Sequence, residues 1–110
     1  MNVRLYIWQR ATAAIMAPLV LVHIAIIFYA ARGGLSAADI LARTRGSIAW
    51  AAFYGMFVLA VSIHASIGVR NVLSEWSPLS ERRTDACAVF IGIVLAGLGL
   101  RAVAAVVVVP

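Results

Sequence analysis

His64 is one of only two histidines in the chain, and Gly68, Asn71 and Glu75 follow it at spacings of four, three and four. Those intervals place all four residues on one helical stripe. A neutral imidazole in an apolar segment is a ready axial ligand for haem iron. Gly68, one turn further on, lacks the side chain that would hold a flat macrocycle away. Arg70 and the arginines at the ends of the apolar runs stand where the carboxylates of such a group would emerge. The same residues also suit plain packing. A membrane histidine can hydrogen-bond a neighbouring helix, and a glycine can be a notch for close approach. Spacing alone leaves both readings open, although ionisable groups inside membrane segments are functional by default.

The elements that must carry these residues follow from composition. The chain has 110 residues, 65% hydrophobic and 12% charged, against about 45–50% and 25% in soluble domains. A soluble chain this short cannot hide so much apolar surface. Disordered, collagen-like and disulfide-rich classes are excluded, and no room remains for a substantial soluble catalytic domain. Three apolar runs give spans at residues 11–31, 46–73 and 86–109, each near the roughly 20 residues that cross a bilayer. Only helices or closed barrels satisfy the backbone in lipid, and these runs do not alternate. The expectation is therefore an all-α, single-domain chain (1–110) with three transmembrane helices. Arg101 must then snorkel to the far interface, and Pro18 is expected to kink the first helix without ending it.

The first run is longer than a signal peptide's apolar region of about 7–15 residues, and Tyr29-Ala30-Ala31 makes a poor cleavage site. It is expected to stay as mature structure. Ser36-Ala37-Ala38-Asp39 resembles a capping box opening a short interfacial segment over residues 36–43. In the second turn Pro78 ends the preceding helix, and Thr84 or Asp85 is the expected cap of the next. Cys87, the single cysteine, can form neither an internal disulfide nor a paired-cysteine metal site. It is expected to fill space in a helix.

The formal charge is +5, and all nine basic residues are arginine. In a soluble protein this would suggest nucleic acid. Here the arginines flank apolar runs, which points to topology and lipid head groups, with no nucleic acid. The N-terminal side holds Arg4, Arg10, Arg70, Arg82 and Arg83; the other side holds Arg32, Arg43, Arg45 and, near its boundary, Arg101. That excess favours an N-terminus in the cytoplasm. Tyr6, Trp8 and Trp76 mark one boundary and Phe28, Tyr29 and Trp50 the other. His64 lies roughly 9 Å from the Arg70 edge and His23 roughly 20 Å from the Arg10 edge on the same side. Two ligands of one iron need nearly equal depth, so an opposing ligand is expected from a partner subunit. His23 is expected to pack or hydrogen-bond.

The chain resembles the small membrane-anchor subunits of succinate dehydrogenase and quinol:fumarate reductase. Trp8-Gln9-Arg10-Ala11-Thr12-Ala13 is similar to that family's arginine-containing start of the first span. A glycine-rich first turn precedes the short segment and the second span. His64-Ala65-Ser66-Ile67-Gly68-Val69, running on to Glu75-Trp76, is similar to the helix that carries the haem ligand toward the quinone site. The resemblance covers residues 8–85 and, by hydropathy, the third span. It implies an anchor with no active site for succinate, set in a bacterial inner membrane as part of a larger hetero-oligomeric bundle. A flavoprotein subunit and an iron–sulfur subunit would do the succinate chemistry. A second membrane-anchor subunit would share one haem b, held here by His64 with Gly68 packed against it. Electrons would pass to ubiquinone or menaquinone near the cytoplasmic interface.

By the same resemblance Arg10 binds a haem propionate or shapes the quinone site; as a plain residue it marks the boundary. Asn71 stands where some anchors carry a second histidine. Glu75 and Trp76 stand where the family commonly has Asp-Tyr. An indole N–H only donates, whereas a phenol also accepts, so protons at such a site would need Glu75, another subunit or water. Trp76 also fits an ordinary interfacial belt, and Glu75 also fits an ion pair with Arg70, Arg82 or Arg83. The alternatives to the anchor reading are a non-redox membrane protein, such as an assembly or transport subunit, and an anchor of the same family without haem. A small multidrug exporter would need four spans and an acidic residue deep in the first, which this chain lacks.

Overall fold

The computed structural model describes residues 3–108. Within them the chain forms four helices and no strand: α1 (Val3–Gly33), α2 (Ala37–Thr44), α3 (Ile48–Trp76) and α4 (Glu81–Val107). The expected span end at Val109 lies outside the described residues. α1, α3 and α4 are long and apolar enough to cross a membrane, and α1 runs unbroken through Pro18. At 31, 29 and 27 residues they are roughly 40–46 Å long. That exceeds a hydrocarbon core of about 30 Å, so each helix overruns its apolar run into the polar zones. The start of α4 shows this best. Neither Thr84 nor Asp85 caps it. Ser80 does, accepting from the Arg83 N–H at 3.3 Å. Glu81 then sits in the first turn, where a carboxylate suits the helix dipole, and Thr84 is buried against the bundle.

α3 is the central helix, packed on α1 and on α4, while α2 touches α4. Helix association in lipid depends on close contact and interhelical hydrogen bonds, because hydrophobic burial drives little there. The α3–α4 seam meets that need with small residues. A Cβ on Gly92 would stand 3.1 Å from Ser66 Cβ, and one on Gly99 would stand 2.5 Å from Val58 Cγ1. The Ser66 hydroxyl crosses the seam to donate to the Ala88 carbonyl at 2.8 Å. On α1 the shielded residues are Leu5, Gln9, Thr12, Met16, Leu19, His23, Ile26 and Ala30. Their spacing alternates four and three, the repeat of a narrow helix–helix seam. Every other described α1 residue is exposed. Cys87 lies on α4 but faces outward and fills no gap.

α2 begins with the capping box its sequence suggests: Ser36 Oγ accepts from the Asp39 N–H, and Asp39 accepts from the Ser36 N–H. Gly34 turns at φ 119° to allow this, and a Cβ there would collide with the Asp39 carboxylate. The Ser36 hydroxyl and then its backbone N–H hold the Asp39 carboxyl below its ordinary value, with help from Arg43. The cap is therefore complete above about pH 4 and weakens only as pH falls through that lowered value. At its other end α2 closes α4. The Thr44 hydroxyl donates to the Val106 carbonyl at 2.6 Å, and the Gly46 N–H (φ 75°) donates to Val107 at 2.6 Å. These carbonyls would otherwise be orphans of a helix end. Arg101 is exposed on α4, five residues or roughly 8 Å before Val106, within reach of that same end.

Overpacking the α3–α4 seam costs about 1–3 kcal/mol. Gly92→Ile is expected to lower the thermal stability of the detergent-solubilised complex by that order. An unchanged unfolding temperature would contradict the close crossing at Ser66.

Candidate functional site

His64 faces α1. Its Nδ1 lies 3.2 Å from Thr12 Oγ1. Thr12 is only 2% exposed, and its hydroxyl also reaches the Trp8 carbonyl at 2.7 Å and that of Gln9 at 3.1 Å. No described residue hydrogen-bonds His64 Nε2, which the ring geometry directs away from Thr12. Thr12 was not singled out from the sequence. The available signal was a polar residue on the 3.5-residue seam of an otherwise apolar helix, shared with Gln9 and His23.

Gly68 is one turn along the same face. A Cβ added there would meet only Gln9 Nε2, at an ordinary 3.8 Å, so α1 does not force the glycine. His64, Gly68 and Val72, with Ala65, Val69 and Leu73, line an apolar groove of about 420 Å³. Gln9 Oε1 is buried beside this face with no hydrogen-bond partner. An imidazole anchored through one nitrogen, with the other unengaged beside a glycine and an apolar groove, suits a planar iron macrocycle held by one axial bond. Among the described residues no three His, Cys, Asp or Glu side chains cluster to hold a bare metal ion. A larger groove of about 470 Å³ lies between α1, α3 and α4 around Trp8, Ser66 and Gly92. Its lining has no titratable or ligating side chain.

The other candidates are not gathered around the imidazole. Arg10 is exposed, and its guanidinium lies over the Tyr6 ring at 5.4 Å. The helical step turns it off the seam that holds Gln9 and Thr12. Glu75 is exposed and makes no ion pair among the described residues, and Trp76 is 84% exposed at the end of α3. Asn71 makes no side-chain hydrogen bond among the described residues. Arg70 is committed elsewhere: its Nε donates to Asp85 at 2.7 Å, and Nη2 lies 3.7 Å from Glu81. Of the alternatives open for Glu75, an ion pair with Arg70 is not formed, since Arg70 pairs with Asp85 and Glu81. Glu75 follows Arg70 by five residues, about 140° round the helix, whereas α4 lies on Arg70's own side.

His23 packs edge-on to Tyr54 and Phe57, at 5.9 and 5.5 Å between ring centres, and its buried Nδ1 has no partner. It stands eleven residues along α1 from Thr12, roughly 16 Å of helix. The two histidines thus occupy different depths, and one iron between them does not fit.

The family model described as succinate dehydrogenase/fumarate reductase transmembrane subunit matches residues 1–100. No curated protein and no solved structure matches the chain.

The ion-pair geometry separates two acidic residues that the sequence leaves alike. Asp85 is half exposed, so its pair with Arg70 is worth no more than about 1 kcal/mol. Asp85→Asn is expected to lower the thermal stability of the complex by that order, while Glu75→Gln leaves it unchanged. Equal losses in the two variants would contradict the pairing.

Proposed function

The chain belongs to the succinate dehydrogenase/fumarate reductase transmembrane subunit family, and from that premise we propose that it binds haem b through His64 and contributes to a quinone site at the end of α3. The observation that carries this reading is the open apolar groove at His64 and Gly68, where the missing Cβ is not explained by anything in the chain itself. His64 Nε2 is the ligating atom, and Gly68, Ala65 and Val69 supply the apolar wall. Arg10, at the depth of Gly68, offers a cation to a propionate or to the quinone site. When bound, haem b supplies a one-electron carrier beside the path from iron–sulfur clusters to quinone.

At the end of α3 the Trp76 indole N–H donates to a quinone carbonyl, and the exposed Glu75 carboxylate exchanges protons with the aqueous side. A second membrane-anchor subunit would supply any second ligand to the haem, because His23 is at the wrong depth. The iron–sulfur and flavoprotein subunits sit at the end that carries the start of α1 and residues 77–80. That end holds Arg4, Arg10, Arg70, Arg82 and Arg83, an excess that supports a position on the cytoplasmic side of a bacterial inner membrane. The helices bury few side chains against one another, which supports a chain completed by helices of a partner.

A reduced-minus-oxidised spectrum of the purified complex is expected to show a b-type signal that is lost in His64→Ala and reduced in Gly68→Leu, with the soluble subunits still co-purifying. Unchanged haem content in His64→Ala would sink the assignment. A wild-type complex without the signal would identify a haem-free anchor. Trp76→Leu removes one hydrogen bond worth about 1 kcal/mol. The expected result is a several-fold rise in KM for quinone, with dye-linked succinate oxidation unaltered. Normal quinone kinetics and inhibitor affinity would return Trp76 to the interfacial belt.

A further inference from the structure

We infer that Thr12 is a positioning residue: it fixes the proton of His64 on Nδ1 and so presents Nε2 as the ligating nitrogen. This rests on the haem reading above. The argument is a count of protons. Thr12 has one hydroxyl hydrogen and three neighbours that could take it: the Trp8 carbonyl at 2.7 Å, the Gln9 carbonyl at 3.1 Å and His64 Nδ1 at 3.2 Å. A separation of 2.7 Å is the usual length of an O–H···O hydrogen bond, and two oxygens without a proton between them repel at that distance. The hydroxyl hydrogen therefore goes to the backbone of α1, most closely to Trp8 one turn back, as threonine does within helices. Its oxygen can then only accept from His64. Nδ1 must carry the hydrogen, and the neutral ring keeps its lone pair on Nε2.

A metal-bound histidine usually donates its second N–H to a neighbouring acceptor, which fixes tautomer and ring orientation. Here that acceptor is a neutral hydroxyl on a different helix. Thr12 is 2% exposed, so water does not compete for the bond. The contact joins residues 52 apart in sequence, and it makes the α1–α3 seam part of the ligand's environment.

The test compares Thr12→Val, Thr12→Ser and His64→Ala in the purified complex, reading haem retention and midpoint potential. Thr12→Val keeps the shape and removes the acceptor. It is expected to weaken haem retention by about 10–100-fold and to raise the midpoint potential, because the ring donates less charge to ferric iron. Thr12→Ser keeps the hydroxyl and its bond to the backbone, and should match wild type on both readouts. If Thr12→Ser behaves like Thr12→Val, the methyl group and not the hydroxyl matters, and the inference falls. If Thr12→Val matches wild type while His64→Ala loses haem, the inference falls and the haem reading stands. If His64→Ala keeps its haem, both fall. Should Thr12→Val fail to assemble, nitrogen-15 NMR of histidine-labelled, haem-depleted wild-type complex decides. A protonated Nδ1 and an unprotonated Nε2, both signals absent in His64→Ala, are expected, and the reverse pattern overturns the proposal.

Discussion

In lipid a polar group has no water to turn to, and that constraint shapes the polar contacts that join these helices. Among the described residues the buried polar ones are Thr12, Thr44, Ser62 and Thr84, and the buried apolar ones are Ala30, Ala60, Ile67 and Ala88. Small hydroxyl residues thus hold half of the interior. Thr12 and Ser62 each donate to a carbonyl one turn back in their own helix, so they satisfy themselves while remaining narrow enough for another helix to come close. Across the seams Thr12 meets His64, and Thr44 and Ser66 donate to the Val106 and Ala88 carbonyls. The same side-chain chemistry supplies close approach and directional contact, which in a membrane stand in for a hydrophobic core.

That arrangement sets the two sides of α3 to different uses. Ser62, Ser66 and Arg70 face α4, where Gly92, the Ala88 carbonyl and Asp85 meet them. His64 and Gly68 lie two residues on from Ser62 and Ser66, about 200° round the helix. α4 therefore holds α3 from behind and leaves the imidazole side to α1 and the open groove. Thr12 and Gln9 come from α1 to the edge of that groove. α1 touches α3 along one narrow seam, yet that seam decides how the imidazole is held.

Some of this is legible in the sequence and some is not, for physical reasons. Run length and hydropathy report how the chain partitions into lipid, so the three long helices can be read directly. The His64–Gly68 stripe and the Ser36–Asp39 cap can be read because both are set by spacing within one helix. The cap of α4 was misplaced because charged residues 81–85 look like a loop until the helix is long enough to carry its first turn into the polar zone. Arg70's partner is not legible in the sequence because it depends on how α4 is set against α3: five residues turn Glu75 away, while α4 brings Asp85 in. Thr12's contact depends on the rotation and register of α1 against α3. No single-helix pattern encodes that, although a threonine on an apolar seam marks a place to look.

The bareness of α1 also bears on how the chain is completed. All but one stripe of it is exposed, and the His64 groove opens beside that stripe on α3 alone, away from α4. A ligand bound there through Nε2 would have α3 on one side only and would remain uncovered opposite. A second helix set against the same groove would supply the missing wall. The bare faces of α1 and the open groove on α3 thus call for the same partner surface. A chain that buried its own helices more fully would have closed that groove.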